Sequence, residues 1–595
     1  MVIKNRRVEL WSISTTMRNP ERIYGFLKTI KEMDGMEWNE ETQKELQVRL
    51  IKNRLYKPTD DKLNLLQRTL LKNLTEEITL DQAEGIFNSK HYTDPPMRGR
   101  QTMSPIKALG LVKIKKCGKI QKIEITNFGE LFLNKEISLE EVVFKSLLKY
   151  QIPNPLKKDL SEKYNTKPFI NILRLIKKVN EICKIRGEKE KGVSKLEFGI
   201  FGLSIVNYIT LDYVALCLLE FRKDYDNYEG KKEEFVENYI SKYLRHFPNA
   251  INNIKEYSDN IIRYLRLTKY IYIRGNGYYI DLEPRRKIEI NSLLKKDNGS
   301  IKEFTSEEDY FDYIGDYYSY KLPFETIEKL TIILNDLRNE IKEIENELGI
   351  RESEAKVFNS LEKIKEEIKR MRNYRQELFN LKLKRDYYSI TKIEEAICKL
   401  TNIRDLTLKP SIALEKWVNI SLNIINDSIL IKPNYPVGDD NEPVFTAPAN
   451  VPDIECFYKN FDMICEVTML NSRSQWINEG QPVMRHLRDF EEKREKESFC
   501  LFVAPQIHRD TLNTFFISVK YEYEGKKQNI IPITISQLIK ILEKIKKMRL
   551  KNKNLKSEDL KDILKQCSNV KEISSSLLWK EKINDNLKKW CDTLS

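Results

Sequence analysis

The sequence contains 595 residues; its 41% hydrophobic content is enough for packed cores, and its 32% charged content implies a well-solvated surface. This length predicts about three to four domains. There are 103 lysines and arginines against 89 aspartates and glutamates, which gives a net charge of +14. Such an excess indicates a polyanionic partner such as nucleic acid; the alternative is the general composition of a lysine- and isoleucine-rich proteome.

Membrane and disulfide-stabilised classes are disfavoured. The amino terminus, MVIKNRRVELW, has no apolar signal core, and no run of about 18 apolar residues could cross a membrane. The nine cysteines are scattered and form no Cys-x-x-Cys pair. This pattern argues against a zinc ribbon or a disulfide framework, and it predicts a reduced cytoplasmic protein that makes no membrane contact.

The first segment, 1–150, is predicted to be a DNA-recognition subdomain. A short strand is expected at 8–14, and Asn19 before Pro20 is typical of a helix start. Residues 97–133 then have the order of a winged helix. Its expected parts are a helix ending at Gly110, strands at 111–116 and 120–125, and a last helix capped by Thr126.

The second segment, 151–305, has a similar pattern. Helices are predicted at 168–182 and 211–225, and the turn Arg-Gly-Asn-Gly at 274–277 joins two aromatic-rich strands. Two winged-helix-like units in tandem suit the reading of duplex DNA, although winged helices also bind proteins.

Apolar residues at heptad spacing indicate a helical linker at 306–400. One stripe runs from Ile327 to Leu348 and a second from Val357 to Met371, with a break near Gly349. Two helices of similar length around a short break predict an antiparallel hairpin that connects two domains. The alternative is an intermolecular coiled coil.

The pattern of residues 401–595 is mixed α/β. The predicted elements are, in chain order, a helix at 411–425, a strand at 427–432, a hairpin at 451–470, a helix from Pro482, a strand at 499–505, a helix after Asp510, a strand at 530–533, and a helix capped by Ser536. The remaining tail is helical and rich in lysine.

The hairpin VPDIECFYKNFDMICEVTML, residues 451–470, carries carboxylates within an apolar stretch. If Lys459 and Asn460 form its turn, the paired residue numbers sum to 919, and Asp453 lies opposite Glu466 on one face of the hairpin. Opposed like charges repel each other, and a divalent cation between them would turn that repulsion into binding. A narrow oxygen site suits Mg²⁺. The alternative is a solvated face, which is the expectation for the other two acids, Glu455 and Asp462.

Pro452-Asp453 and, after twelve further residues, Glu466-Val467-Thr468 resemble the two halves of the PD-(D/E)xK nuclease motif. The sequences around this motif are similar to the AlwI family of type IIS restriction endonucleases, which includes strand-specific nicking enzymes. The similar segments are WSISTTMRNPERI, PFINILRLIKKVN, GVSKLEFGIF, RYLRLTKYIYIRGN, LEKW, EVTMLNSRSQWINEGQPVMRHLRDFEEK and CLFVAP. They cover nearly the whole chain in order.

The resemblance implies a carboxy-terminal PD-(D/E)xK nuclease domain. The family's catalytic residues fall on Glu415, Asp453, Glu466, Glu479 and His486. The Mg²⁺ ligands that the resemblance implies are Asp453, Glu466, Glu479 and the backbone carbonyl of Val467.

The lysine of the wider motif is replaced by Thr468, a feature that the resembling family shares. It therefore stays open whether Glu479, Glu415 or His486 positions the attacking water. Glu479 is expected on a loop before a helix that starts at Pro482. His486 is either a general base or phosphate contact, or an ordinary surface histidine.

The implied activity is that of a site-specific DNA endonuclease. It would bind a short asymmetric duplex site similar to GGATC or GAGTC and hydrolyse a phosphodiester bond at a fixed distance outside it. One active site per chain cuts one strand, so double-strand cleavage needs a transient homodimer or a small nuclease subunit. A strand-specific nicking enzyme and a non-catalytic winged-helix regulator are the alternatives.

Guanine is best read in the major groove by a bidentate arginine, whereas other basic residues anchor phosphates. Arg98 and Arg100 are favoured as readers because they precede the helix of a winged-helix unit. For any single arginine the alternative is a phosphate contact or a surface salt bridge. The candidates for DNA contact are Arg18, Arg22, Arg98, Arg100, Arg263, Arg266, Arg274 and Arg485.

Overall fold

The computed structural model describes residues 8–13, 17–73, 76–157, 160, 163–275, 278–350, 358, 360–406, 408–425, 427–440, 442–443, 445–448 and 450–594. The chain forms two compact units, Met1–Ile273 with Tyr279–Leu330 and Arg274–Tyr278 with Thr331–Ser595. In the described ranges, no helix combines the length and the apolar character that a membrane span requires. The predicted mixture of helices and strands is confirmed.

The first unit is mainly helical. Its helices are α1 (Ile23–Lys31), α2 (Glu40–Lys52), α3 (Leu65–Lys72), α4 (Leu80–Asn88), α5 (Pro95–Ala108), α6 (Asn127–Leu133), α7 (Leu139–Lys149), α8 (Pro168–Ile185), α9 (Lys195–Glu197), α10 (Leu211–Asn227), α11 (Lys232–Tyr243), α12 (Ala250–Leu267), α13 (Lys287–Lys296) and α14 (Glu307–Gly315). Its strands are β1 (Val112–Cys117), β2 (Ile120–Ile125), β3 (Val193–Ser194), β4 (Ile271–Arg274) and β5 (Tyr279–Leu282). β1 and β2 form an antiparallel pair, and a second sheet has the order β3-β5-β4.

Local capping explains where several of these helices begin. The side chain of Asn19 accepts a hydrogen bond from the amide of Glu21, and Pro20 opens a short 3-10 helix that leads into α1. Thr126 caps α6 in the same way, by accepting from the amide of Gly129. Gly110 follows the end of α5 with a φ of 79°, in the left-handed region that favours glycine.

The predicted order of helix, strand, strand and helix is observed as α5, β1, β2 and α6. Two details differ. Arg98 and Arg100 lie inside α5 rather than before it, because Asp94 caps the helix four residues before Arg98. Residues 8–13 form no strand, and Ser14 lies outside the described residues. The winged-helix assignment and the domain boundaries stay predictions.

The expected helices of the second segment are observed as α8 and α10, and β4 and β5 are the two strands of the predicted hairpin. Of its turn, residues 276 and 277 lie outside the described residues.

The two helices of the linker are α15 (Ile327–Leu348) and α16 (Leu361–Asp386), and they run in the same direction. Between Arg338 and Glu347 on α15, the partners on α16 advance from Glu367 to Lys382, whereas an antiparallel pair would reverse that order. The four contacts are Arg338 with Glu367, Glu340 with Arg375, Glu345 with Tyr374, and Glu347 with Lys382.

The predicted antiparallel hairpin is therefore wrong. The connection between the two helices contains twelve residues, and a chain of that length can span up to about 40 Å when extended. Since α15 is only about 33 Å long, such a connection is long enough to join two parallel helices. The heptad stripes predicted the helices correctly, but a hydrophobic stripe carries no information on their relative direction. Val357, assigned to the second stripe, lies outside the described residues.

The second unit contains a five-stranded sheet of order β10-β9-β8-β7-β6. Its strands are β6 (Leu430–Pro433), β7 (Ile454–Phe457), β8 (Asp462–Val467), β9 (Ser498–Ala504) and β10 (Ile530–Thr534). β6, β7 and β8 are antiparallel neighbours, whereas β8, β9 and β10 are parallel. The other helices of this unit are α17 (Ile390–Thr401), α18 (Pro410–Ile425), α19 (Arg473–Glu491), α20 (Arg509–Lys520), α21 (Ile535–Leu550), α22 (Ser557–Ser568) and α23 (Ser576–Thr593).

Candidate active site

The hairpin of β7 and β8 has the predicted register. Ile454 pairs with Cys465 and Phe457 with Asp462, so the paired numbers sum to 919, and Lys459-Asn460 forms the turn. Because the register continues beyond Ile454, Asp453 lies next to Glu466. The amide of Val467 donates a hydrogen bond to Oδ2 of Asp453 at 2.8 Å.

The face of the hairpin that carries the acids is more buried than expected. Ile464 is inaccessible and Asp462 is only 4% exposed, because α19 packs over this side of the sheet. Asp462 lies 3.9 Å from the ammonium group of Lys496, so its assignment to a solvated face is wrong. Glu455 is half-buried and pairs with Lys432 at 2.8 Å.

Glu466 is buried on β8 and contacts His486 of α19. Nδ1 of His486 lies 2.8 Å from Oε1 of Glu466. Burial, followed by the charge of Glu479, raises the pKa of Glu466 well above its ordinary value. Burial, followed by the charge of Arg485, lowers the pKa of His486. Its Nε2 atom is buried and has no hydrogen-bond partner among the described residues.

Glu479 lies inside α19, not on a loop before it. This helix begins at Arg473 and contains Pro482 in its interior, so the predicted start at Pro482 is wrong. An internal proline costs a helix one backbone hydrogen bond, and here the packing of α19 against β8, β9 and α20 holds the helix together across it. Burial raises the pKa of Glu479, and a hydrogen bond with the Thr468 side chain acts in the opposite direction.

Glu415 is buried on α18. Its Oε2 atom accepts a hydrogen bond from the amide of Ala447 at 2.9 Å. Burial, followed by the charge of Asp453, raises the pKa of Glu415 to about 8. Burial, followed by the charge of Glu466, likewise raises the pKa of Asp453 well above its ordinary value. The two carboxyl groups therefore lie close enough to oppose each other's ionisation.

Four carboxyl groups from three parts of the unit thus converge: Glu415, Asp453, Glu466 and Glu479. A cluster of this kind is costly when ionised and without a cation, so its chemistry fits a hard divalent ion with oxygen ligands. In the described part of the chain, no group of three or more His, Cys, Asp or Glu side chains has metal-binding geometry. The fit of this site to a divalent cation therefore rests on its oxygen donors and on the repulsion among the four carboxylates.

Two contributions to this site carried no signal in the sequence. The amide of Ala447 comes from a loop, and a backbone donor can belong to any residue type. Asn450 of the same loop accepts a hydrogen bond from Arg485 at 3.2 Å, and this arginine is exposed beside His486. The long connection between β6 and β7 was the available clue, since long loops without regular structure often serve a function.

Four candidate arginines of the first unit make contacts within it. Arg18 pairs with Glu256. Arg22 donates to the carbonyl of Leu55 and lies over the ring of Phe26. Arg98 lies 4.7 Å from the ring centroid of Tyr92, and Arg100 donates to Gln43 at 2.9 Å and to Asp94 at 2.7 Å.

The structure places the remaining arginines at two further locations. Arg263 and Arg266 are exposed on α12, where Arg263 pairs with Asp259 at 2.8 Å. Arg274 is half-buried at the end of β4. Arg263 and Arg266 are three residues apart and share one face of α12, whereas Arg98 and Arg100 are two residues apart on α5 and point in different directions.

The comparisons with known proteins identify one family. No match was found among curated proteins. The small subunit R.BspD6I2 of the heterodimeric restriction endonuclease R.BspD6I is similar, at 18% identity and a TM-score of 0.29 over 33% of this chain and 98% of its own. Restriction endonuclease FokI is similar at 11% identity and a TM-score of 0.22 over 91% of this chain and 96% of its own. The model of the AlwI restriction endonuclease family matches residues 107–541. Since this match spans most of the sequence, the chain belongs to the AlwI restriction endonuclease family.

Proposed function

We propose that the chain is a type IIS site-specific DNA endonuclease that cuts at a fixed distance outside a short asymmetric site similar to GGATC or GAGTC. The observation that carries this proposal is the convergence of four carboxyl groups near the end of the central strand β8 in the second unit. Membership of a restriction endonuclease family supplies the reaction class, which is phosphodiester hydrolysis in DNA.

The four carboxylates fit Mg²⁺ as the cofactor. Asp453 and Glu466 would hold the ion, with Glu479 and the carbonyl of Val467 as further ligands. When bound, Mg²⁺ polarises a scissile phosphate and makes water more acidic. The amide of Val467 fixes the Asp453 carboxylate by its 2.8 Å hydrogen bond, so the metal ligand is oriented by the neighbouring strand.

His486 orients Glu466 through its Nδ1 atom, which leaves Nε2 directed into the protein without a partner in the described ranges. Such a nitrogen can accept a proton or bind a water molecule. Glu415 is held by the amide of Ala447 and would orient the attacking water. In this arrangement Thr468 takes the place of the motif lysine, and its hydroxyl group holds Glu479.

DNA recognition is assigned to the first unit. Arg98 and Arg100 on α5 are the proposed guanine readers, and Gln43 and Asp94 hold the guanidinium of Arg100 in place. A positioned arginine loses less conformational freedom when it makes a bidentate contact. The proposed phosphate contacts are Arg18, Arg22, Arg263, Arg266 and Arg274, and Arg485 would contact phosphate beside the carboxylates.

Strand-specific nicking is the second candidate function. One set of four carboxylates occurs in the described part of the chain, and one such site cuts one strand. Double-strand cleavage would therefore need a transient homodimer or a small nuclease subunit, whereas nicking needs neither.

Incubation of supercoiled plasmid with the purified protein and Mg²⁺ tests these functions. Linear product with cuts outside one short site supports double-strand cleavage, and an open circle supports nicking. Sequencing both strands of the product from each side gives the site and its offset. Absence of cleavage under saturating Mg²⁺ would favour a non-catalytic DNA-binding regulator.

A further inference from the structure

One side of α21 carries a row of lysines. Lys540, Lys544 and Lys547 are spaced by four and three residues, and Lys551 follows the end of the helix after four more. Residues three and four apart lie on the same face of a helix. All of these side chains are exposed except that of Lys544, which is half-buried.

These lysines differ in their ionic contacts from Lys546, which lies on another side of the helix. Lys546 pairs with Glu394 of α17 at 2.6 Å. Lys540, Lys544, Lys547 and Lys551 form no ion pair with any residue that the structure describes. The side of α21 that packs against α17 is thus neutralised, whereas the lysine side is not.

α23 extends this positive surface. Gln537 of α21 donates to Asn584 of α23 at 2.6 Å, which joins the two helices side by side. Lys540 and Lys544 both lower the pKa of the Cys591 thiol, although burial raises it overall. Lys588 lies almost one turn before Cys591. Glu543 lies within the lysine row, three residues after Lys540 and four before Lys547, and Asp585 and Asp592 are the acids of α23 near this surface.

We call Lys540, Lys544, Lys547, Lys551 and Lys588 the basic face. α21 follows directly after β10, whose last residue, Thr534, is level with Ala504 of β9. Val467 of β8 is level with Val503 of the same strand. The amino-terminal end of α21 therefore lies at the same ends of the strands as Glu466, and β10 and β8 are two strands, roughly 10 Å, apart. Leu538 and Ile541 of α21 line one cavity with Met463 and Leu501, so α21 covers the sheet face opposite to the one that carries Glu466.

The five lysines outnumber the three acids near them, and an excess of like charge destabilises a fold, an effect that a bound polyanion reverses. Duplex DNA carries one negative charge per about 1.7 Å of its axis. Lysines at helical spacing recur every 5 to 6 Å or so along α21, so each can reach a different phosphate.

We propose that the basic face binds the phosphate backbone of the duplex that the nuclease unit cuts. This inference rests on the proposed function. It adds a sequence-independent contact of the nuclease unit itself, which would hold the DNA while recognition takes place in the first unit.

The salt dependence of DNA binding tests the basic face. The full-length protein is titrated with a duplex containing its site, in EDTA so that no cleavage occurs, at several NaCl concentrations. The test variant is Lys540→Gln, Lys544→Gln, Lys547→Gln. The control variant is Lys493→Gln, Lys526→Gln, Lys527→Gln, which removes the same charge from exposed lysines that precede β9 and β10, at the opposite ends of the strands.

We expect the slope of log K against log salt to decrease by about 2 to 3 in the test variant, since each lost phosphate contact contributes about 0.9. The control variant should keep the wild-type slope. An unchanged slope in the test variant overturns the inference, and so does an equal decrease in both variants. Plasmid cleavage by the wild-type protein decides the proposed function separately, because the slope is measured without catalysis.

Discussion

The amide of Val467 donates a 2.8 Å hydrogen bond to the carboxylate of Asp453, across the hairpin whose register also sets Asp453 beside Glu466. One strand thus supplies both a second carboxylate and the donor that fixes the first. A shift of the register by one residue would turn Glu466 to the opposite face of the sheet. The site therefore depends on the two-residue turn at Lys459-Asn460.

Asp453→Asn should abolish cleavage and leave site-specific DNA binding intact. The amide side chain keeps the shape and an oxygen that can accept from Val467, but it removes the charge that a cation needs. Because burial and Glu466 both oppose ionisation of Asp453, the variant should also be at least as stable as the wild type. Plasmid cleavage and a gel-shift assay measure the two properties. Glu455→Gln, which changes a half-buried acid of the same hairpin, is the matched control, and cleavage by Asp453→Asn at the wild-type rate would contradict the site.

His486→Ala should lower the cleavage rate by about 10- to 100-fold, as is typical when a residue that orients a metal ligand is removed. The reason is the 2.8 Å contact between Nδ1 of His486 and Oε1 of Glu466, which the alanine variant loses. His486→Asn should recover part of the rate, because its amide can still donate at a similar position. The rate of single-turnover cleavage at saturating Mg²⁺ compares the wild type with the two variants. Equal rates for the wild type and His486→Ala would show that the histidine has no role in cleavage.

The stability of the metal-free protein should fall as the pH rises from about 4.5 to about 8, partly because of Glu415. The ordinary pKa of this carboxyl group is 4.5, and it is raised to about 8 in the fold. Within that window the unfolded chain loses the proton while the folded chain keeps it, so folding becomes less favourable. A shift of this size corresponds to a change on the order of 3 to 5 kcal/mol.

Glu415→Gln removes this titration and keeps an oxygen for the amide of Ala447. The difference in free energy of unfolding between variant and wild type should therefore grow from pH 5 to pH 8 in EDTA. Urea unfolding at each pH measures it. Parallel stability curves for the two proteins would argue against a buried, protonated Glu415.

The alternation of apolar and acidic residues was enough to predict the hairpin, its turn and the neighbours Asp453 and Glu466, because strand geometry has a fixed period of two residues. Alternation does not reveal what covers each face. It therefore missed the burial of Asp462 under α19. Proline is common in the first turn of a helix, so the sequence predicts a helix start at Pro482, and only tertiary packing shows that α19 continues through it.

Tyr374→Phe should destabilise the pair of helices α15 and α16 by about 1 to 3 kcal/mol, because it leaves the buried carboxylate of Glu345 without its donor. The hydroxyl group of Tyr374 lies 2.9 Å from Oε1 of Glu345, which is inaccessible to solvent. Thermal unfolding compares this variant with Tyr388→Phe, which removes a hydroxyl group from an exposed tyrosine. Equal unfolding temperatures for both variants would contradict the parallel register, since an antiparallel pair would not bring these two residues together.

Arg100→Ala should reduce the preference for the specific site by about 1 to 3 kcal/mol if this arginine makes a bidentate guanine contact. The guanidinium group is held by Gln43 and Asp94, so it is directed before DNA binds. Competition between specific and random duplexes at fixed salt measures the preference, since phosphate contacts affect both equally.

Arg98→Ala should have a similar effect. Arg186→Ala, an exposed arginine at the end of α8, should change neither affinity by a comparable amount. If Arg100→Ala weakens binding to both duplexes to the same extent, Arg100 anchors a phosphate and the reader must be sought among the other arginines of the first unit.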